Sequence, residues 1–308
     1  MNITRRAAVA AVAAACLGLA IGCGSGSREF DEAAAWQHLL DQVEMGPRVP
    51  GSQAHANALA YFRSHLETTA DRVVVESFDG VCPLDSSSVT FHNVVATFRP
   101  ESPRRILFGA HWDSRPFADQ DEDPARRREP VLGANDGASG VAVLLEMATR
   151  FAERPPGIGV DLVLFDAEDC GREGEPDTWA LGSQEFVRRN PSYRPAYAVI
   201  LDMVGRDGMR LLREGNSVAA APRLVSAIWA VAAEVGATAF TDSTGRPVWD
   251  DHVAFLEAGI PAVDIIDFED PRWHTTADDV EHCSAESLGQ VGRVALALVR
   301  KAEEAESP

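Results

Sequence analysis

The chain has 308 residues, of which 45% are hydrophobic and 24% charged, with 24 glycines and 18 prolines. This composition excludes intrinsic disorder and collagen-like polymers, and the length suits one large core or two small ones. The formal net charge is -19, so no basic face is available to a phosphate backbone and nucleic-acid binding is not expected.

The first 23 residues read as an export signal. Arg5 and Arg6 form a basic start, Ala7 to Ile21 are almost wholly apolar, and Gly22-Cys23 precedes the polar Gly24-Ser25-Gly26-Ser27. The apolar run falls short of the roughly 20 residues needed to span a bilayer, so it is a targeting segment. Ala20-Ile21-Gly22-Cys23 is similar to a lipoprotein signal, with Cys23 as the lipid anchor after cleavage. Simple cleavage and secretion is the alternative, and Thr4-Arg5-Arg6 also fits a twin-arginine signal. The expected layout is a signal at 1–23, a polar linker at 24–30 and one catalytic domain at 31–308. The protein is expected in the cell envelope, on the periplasmic or outer-surface side, touching a membrane only through its anchor. Beyond Cys16 and Cys23 the chain has Cys82, Cys170 and Cys283. None forms a CxxC pair, which excludes a cysteine zinc site; one disulfide is allowed, and the pair stays open.

Ala33 to Val43 and Ala54 to Leu66 have helical spacing, split by Gly46-Pro47-Arg48-Val49-Pro50-Gly51-Ser52, a loop no helix crosses. Arg72 to Ser77 and Ser88 to Phe98 read as strands. Short apolar runs follow at Ile106 to Ala110, Val160 to Phe165, Ala196 to Leu201 and Pro261 to Ile266. They alternate with helical stretches at Val141 to Phe151, Leu181 to Arg188, Pro222 to Val235, Val253 to Glu257 and Ser287 to Glu303. That alternation predicts an α/β fold whose sheet is covered by helices on both faces. Asp119 to Pro130, with three consecutive arginines, is expected to be a solvated loop.

Chemistry follows the strands. Ile106 to Ala110 runs into His111-Trp112-Asp113, Leu162 to Ala167 into Glu168-Asp169, and Val199 to Leu201 into Asp202. Open α/β sheets bind ligands beyond the carboxyl ends of their strands, so these residues should share one rim. Asn135-Asp136-Gly137 precedes a helix, and Trp273-His274-Thr275 follows the last strand. Taken singly, Asp136 reads as a helix N-cap, Glu168-Asp169 as a solvated acidic pair, and Trp273 as a packing residue. Taken together, carboxylates and imidazoles on one rim have the character of a zinc site, and without a cation they repel one another.

Five motifs occur in order: His111-Trp112-Asp113-Ser114, Gly133-Ala134-Asn135-Asp136-Gly137-Ala138-Ser139-Gly140, Phe165-Asp166-Ala167-Glu168-Asp169, Asp250-Asp251-His252-Val253-Ala254-Phe255 and Trp273-His274-Thr275. Together they resemble the zinc aminopeptidase superfamily and, more narrowly, the animal-type glutaminyl cyclases found also in bacteria. The resemblance spans about residues 30 to 305. It implies a three-layer α/β/α sandwich around a mixed, mostly parallel sheet. Carried over residue by residue, it implies Asp136, Asp169 and His274 as ligands of one Zn2+, Asp169 standing where many relatives have Glu. It implies Glu168 as general acid/base, Asp202 and Asp250 as catalytic carboxylates beside it, and Trp273 and Trp179 as walls of the substrate pocket. His111 and Asp202 are expected either to make a second metal site or to stand behind the first.

The activity implied is conversion of N-terminal glutamine in peptides or proteins to pyroglutamate, with release of ammonia. Zinc would polarise the γ-carbonyl and Glu168 would carry the proton. Asp250, where peptidases of the superfamily tend to have Ser, and Trp273 directly before His274 favour the cyclase. The alternative is a two-zinc aminopeptidase; a non-catalytic zinc-binding protein is disfavoured because no ligand or base is missing. Glu168 and Asp169 are expected to point in opposite directions, as consecutive extended residues do.

Overall fold

The computed structural model describes residues 29–305; the stretch read as an export signal, and Cys23 expected as its anchor, lie outside that range. Eight strands are present among the described residues: β1 (Arg72–Val81), β2 (Ser88–Phe98), β3 (Arg105–His111), β4 (Gly159–Phe165), β5 (Ala198–Asp202), β6 (Leu211–Arg213), β7 (Phe240–Thr244) and β8 (Ala262–Ile266). The main sheet has the order β1-β2-β4-β3-β5-β8, while β6 and β7 form a small parallel pair. β1 with β2 and β2 with β4 are antiparallel; β4, β3, β5 and β8 run parallel.

The helices are α1 (Glu32–Glu44), α2 (Gln53–Thr69), α3 (Ala138–Glu153), α4 (Leu181–Arg189), α5 (Gly215–Ala220), α6 (Pro222–Glu234), α7 (His252–Glu257) and α8 (Ala285–Glu304). Side chains alternate across each strand. Ile106, Phe108 and Ala110 of β3 join the core beneath α1, α2, α3, α6 and α8. Leu107 faces the other way and packs with Val163, Phe165, Phe186 and Phe255 under α4 and α7. The expected three-layer sandwich around a mixed sheet is therefore what the chain forms. α3 is buried along nearly its whole length, and truncating Leu144 there to Ala should cost about 2–5 kcal/mol.

Several details were not foreseen. β1 runs four residues past Ser77 because Val81 still pairs with Ser88. α3 begins at Ala138, three residues before the expected start. β6 and α5 are too short for periodicity to reveal. Cys82 and Cys170 form a disulfide that ties the end of β1 to the loop after β4, and Cys283 is a buried free thiol. The arginine-rich insertion is only partly solvated: residues 122–130 are exposed, but Asp121 is buried and accepts from the Thr276 N–H at 3.0 Å. None of the described helices is long and apolar enough to cross a membrane.

Candidate active site

β3 lies between β4 and β5, so successive connections leave it toward opposite sides. The crevice at such a switch point is where open α/β sheets take ligands. His111 ends β3, Asp202 ends β5, Glu168-Asp169 follows β4, and Asp136 precedes α3.

Two glycines let α3 start there. Gly137, at φ 94°, is its N-cap, and no side chain caps the helix. The sequence alternative of Asp136 as the cap is thus not adopted, and its carboxylate turns to the rim. A Cβ on Gly140 would collide with the Leu201 carbonyl, so only glycine allows α3 this close to β5. Strained backbone gathers at the same place: Ala167, Ala180, Met203 and His274 are non-glycine residues at positive φ.

His111 Nε2 lies 2.9 Å from Asp136 Oδ1 and 3.1 Å from Asp202 Oδ1. His274 Nε2 lies 3.0 Å from Asp169 Oδ1 and 3.7 Å from Asp136 Oδ2. Asp136 therefore belongs to two trios, His111–Asp136–Asp202 and Asp136–Asp169–His274, each with donor atoms within 4.8 Å of one another. The His274 ring is stacked on Trp273 at 3.7 Å and on Trp179 at 5.7 Å between centroids. Arg115 in turn lies 4.8 Å over the Trp179 ring and 3.4 Å from Asp169 Oδ1.

The carboxylates outnumber the cations. Burial, joined by Asp169 and Asp202, pushes the Asp136 carboxyl well above its ordinary range. Burial also lifts Glu168 well above its usual value, with Asp250 and Asp169 adding to the effect and His111 opposing it. Asp250 is pushed up to about 6 by burial and by Asp202. Burial works against a charged His111, yet Asp202, Asp113 and Asp136 hold its pKa well above the ordinary one. Asp136 Oδ2 and Asp169 Oδ2 are buried without a hydrogen-bond partner. Buried, orphaned carboxylate oxygens beside imidazole nitrogens are the donor set of a divalent zinc-type ion.

One expectation needs correcting. Glu168 and Asp169 are not consecutive strand residues, because β4 ends at Phe165 and the chain turns through Ala167 at φ 58°. Asp113 sets this turn, its two carboxylate oxygens accepting from the Glu168 N–H at 3.1 Å and the Asp169 N–H at 3.2 Å. Glu168 lines the cleft while Asp169 meets His274.

Sequence reasoning missed the supports. Asp278 accepts from the Asn135 N–H at 2.8 Å and the Asp136 N–H at 3.0 Å, fixing the loop that carries Asp136. The buried Arg48 guanidinium donates to the carbonyls of Trp112, Leu132 and Gly133 at 2.7 to 3.0 Å. Behind Asp250 lies a further buried trio with His252 and Asp264, and Glu214 Oε2 is 3.2 Å from His252 Nε2. Arg48 sat in an evident loop and Asp278 in an acidic pair, so no local signal marked either.

Asp136, Glu168, Asp202, Asp250 and His274 open into one cleft of about 320 Å³, walled by Trp179 and Trp273. Fold and rim together define a protein of the zinc-exopeptidase class. The chain belongs to peptidase family M28, whose model matches residues 93–299. It is similar to a glutaminyl cyclase of Bacteroides thetaiotaomicron bound to N-acetylhistamine, with 36% identity and a TM-score of 0.84, covering 88% of this chain and 98% of that one. A leucine aminopeptidase precursor of the same organism matches at 35% identity and TM-score 0.84, covering 88% and 97%. Among curated proteins, the glutaminyl-peptide cyclotransferase of Bothrops jararaca is 24% identical, covering 86% of this chain and 79% of its own.

Proposed function

We propose that this protein is a zinc-dependent glutaminyl-peptide cyclotransferase, converting the N-terminal glutamine of peptides or proteins to pyroglutamate and ammonia. The observation that carries the reading is the shared cleft: Asp136 and His274 of a metal-type donor trio, the carboxylates of Glu168 and Asp250 and two tryptophan walls line about 320 Å³. A bacterial glutaminyl cyclase of the same fold, 36% identical, supports it.

Asp136, Asp169 and His274 would hold the ion. A zinc ion held there would supply Lewis acidity to a carbonyl oxygen. Ring closure of glutamine needs its neutral α-amine to attack the γ-carbon, a five-membered closure that gains chiefly from positioning. Glu168 takes the proton from the amine nitrogen and returns it to the departing ammonia. Its burial raises its affinity for a proton above that of an ordinary glutamate, the direction a group that both takes and returns a proton needs. Asp250 and Asp202 orient the amine and the amide by hydrogen bonds. Trp273 and Trp179 wall the site against bulk water and fix the His274 ring.

The complete His111–Asp136–Asp202 trio favours a second reading, a two-metal aminopeptidase sharing Asp136 between ions. One assay separates them: the purified protein is given a Gln-initiated peptide and a Leu-arylamide, and ammonia and arylamine are scored separately. Ammonia alone supports the cyclase; arylamine alone supports the peptidase. Export to the envelope, with Cys23 as lipid anchor, is part of the same proposal. The Cys82–Cys170 disulfide supports it, since such bonds persist in oxidising compartments.

A further inference from the structure

The lining of the cleft also takes in Trp249, Arg246 and Phe268, and the exposure of Trp249 and Arg246 puts them at its mouth. Trp249 is 36% exposed, the most of any tryptophan among the described residues. The rings of Trp112, Trp179, Trp229 and Trp273 are each stacked on or edged by another ring. That of Trp249 meets neither a ring nor a guanidinium among the described residues. Exposure of so large an apolar ring beside a cleft marks a surface that a ligand covers.

The residue before it is held by two hydrogen bonds. The Val248 N–H donates to Glu214 Oε1 at 2.8 Å, and the Asn216 side chain donates to the Val248 carbonyl at 2.7 Å. On the other side Asp250 is buried in the cleft wall. Trp249 thus stands on an anchored stretch of backbone, which lowers the ordering cost when something stacks on its ring. Arg246 lies 4.0 Å over the Phe268 ring, so its guanidinium already has an aromatic partner. Glu173 also lines the cleft and makes it unwelcoming to an acidic side chain.

We propose that Trp249 is a specificity-determining residue that receives the side chain following the N-terminal glutamine, selecting an aromatic residue there. This deepens the cyclase reading and rests on it. With glutamine in the inner cleft, the peptide leaves through the mouth, and its second side chain is the first that can cover the Trp249 ring. An aromatic pair of this kind is worth about two- to tenfold in kcat/KM.

The test measures ammonia release from Gln-Phe-Ala-amide, Gln-Ala-Ala-amide and Gln-Glu-Ala-amide by the parent, Trp249→Ala and Trp249→Phe. The parent should favour the Phe peptide over the Ala peptide by about two- to tenfold, with the Glu peptide slowest. Trp249→Ala should bring the Phe/Ala ratio to about one, and Trp249→Phe should keep most of it. A parent without preference, or Trp249→Ala with the preference intact, overturns the subsite and leaves the cyclase reading standing. No ammonia from any peptide overturns the cyclase reading, and this proposal with it.

Discussion

β3 and β4 end very differently at their two tips. At the amino ends, Arg105 donates to both oxygens of Asp161 at 2.6 and 3.0 Å, and the Tyr193 hydroxyl donates to Asp161 at 2.7 Å. The remaining Arg105 N–H groups reach the carbonyls of Phe98, Arg99 and Ser102. One cation faces one carboxylate, and both are hydrogen-bonded. At the carboxyl ends, Asp113, Asp136, Glu168, Asp169 and Asp202 crowd around His111 and His274, with carboxylate oxygens left orphaned. The first end is an interaction closed within the chain. The second is an electrostatic conflict that the chain alone does not resolve, and a bound cation does.

The sharpest way to break this contrast is to remove the cation's ligands. Asp136→Ala combined with His274→Ala should abolish both bound zinc and cyclisation; one equivalent of zinc kept by this variant, read by metal analysis, would sink the ligand assignment. A parent holding two equivalents after dialysis would shift the balance to the peptidase reading.

Next comes the division of labour within Glu168-Asp169. Glu168→Gln should cut turnover by about 10²-fold or more while keeping zinc and the binding of an imidazole inhibitor. Asp169→Ala should lose metal and activity together. If Glu168→Gln loses its zinc, or cyclises glutamine at the parental rate, the two roles are wrongly drawn.

At the opposite tip the expected effect moves from activity to stability. Arg105→Met strands the buried Asp161 carboxylate and should cost about 2–3 kcal/mol in denaturant unfolding, at or just below the loss on breaking a fully buried pair because Arg105 is partly exposed. Below the melting transition its kcat should match the parent. A fall in kcat at unchanged stability would show that the two ends are coupled and the contrast false.

The smallest effect belongs to Glu146 on α3, a buried carboxyl 2.7 Å from Arg150, and so an intermediate case. Burial pushes its pKa from 4.5 to about 7. Between those values the folded protein keeps a proton that the unfolded chain has released, so stability contributed by this group falls as pH rises through that window. Glu146→Gln should therefore lose less melting temperature than the parent between pH 4.5 and pH 7. An equal loss in both proteins would remove Glu146 from the account.

The alternation of apolar strands and helices, and with it the rim, is legible in the amino-acid pattern alone. A continuous apolar run that ends in His111, Glu168 or Asp202 has only one place to put those groups. Motif order then picked out Asp136, Glu168 and Asp169, which lie within four positions of a strand end or helix start, and His274, eight positions past the end of β8. Tertiary structure alone decided the pairing of Cys82 with Cys170, the turning of Asp136 away from its cap position, and the split between Glu168 and Asp169 made by Asp113. It alone recruited Arg48, Asp278 and Trp249. Arg48 reaches carbonyls 64 to 85 positions away, and Asp278 holds an amide 142 positions away. Periodicity and spacing report what a residue does within its own turn or strand. A hydrogen bond between distant loops leaves no local pattern, since its partner is chosen only when the sheet brings the two loops to the same rim.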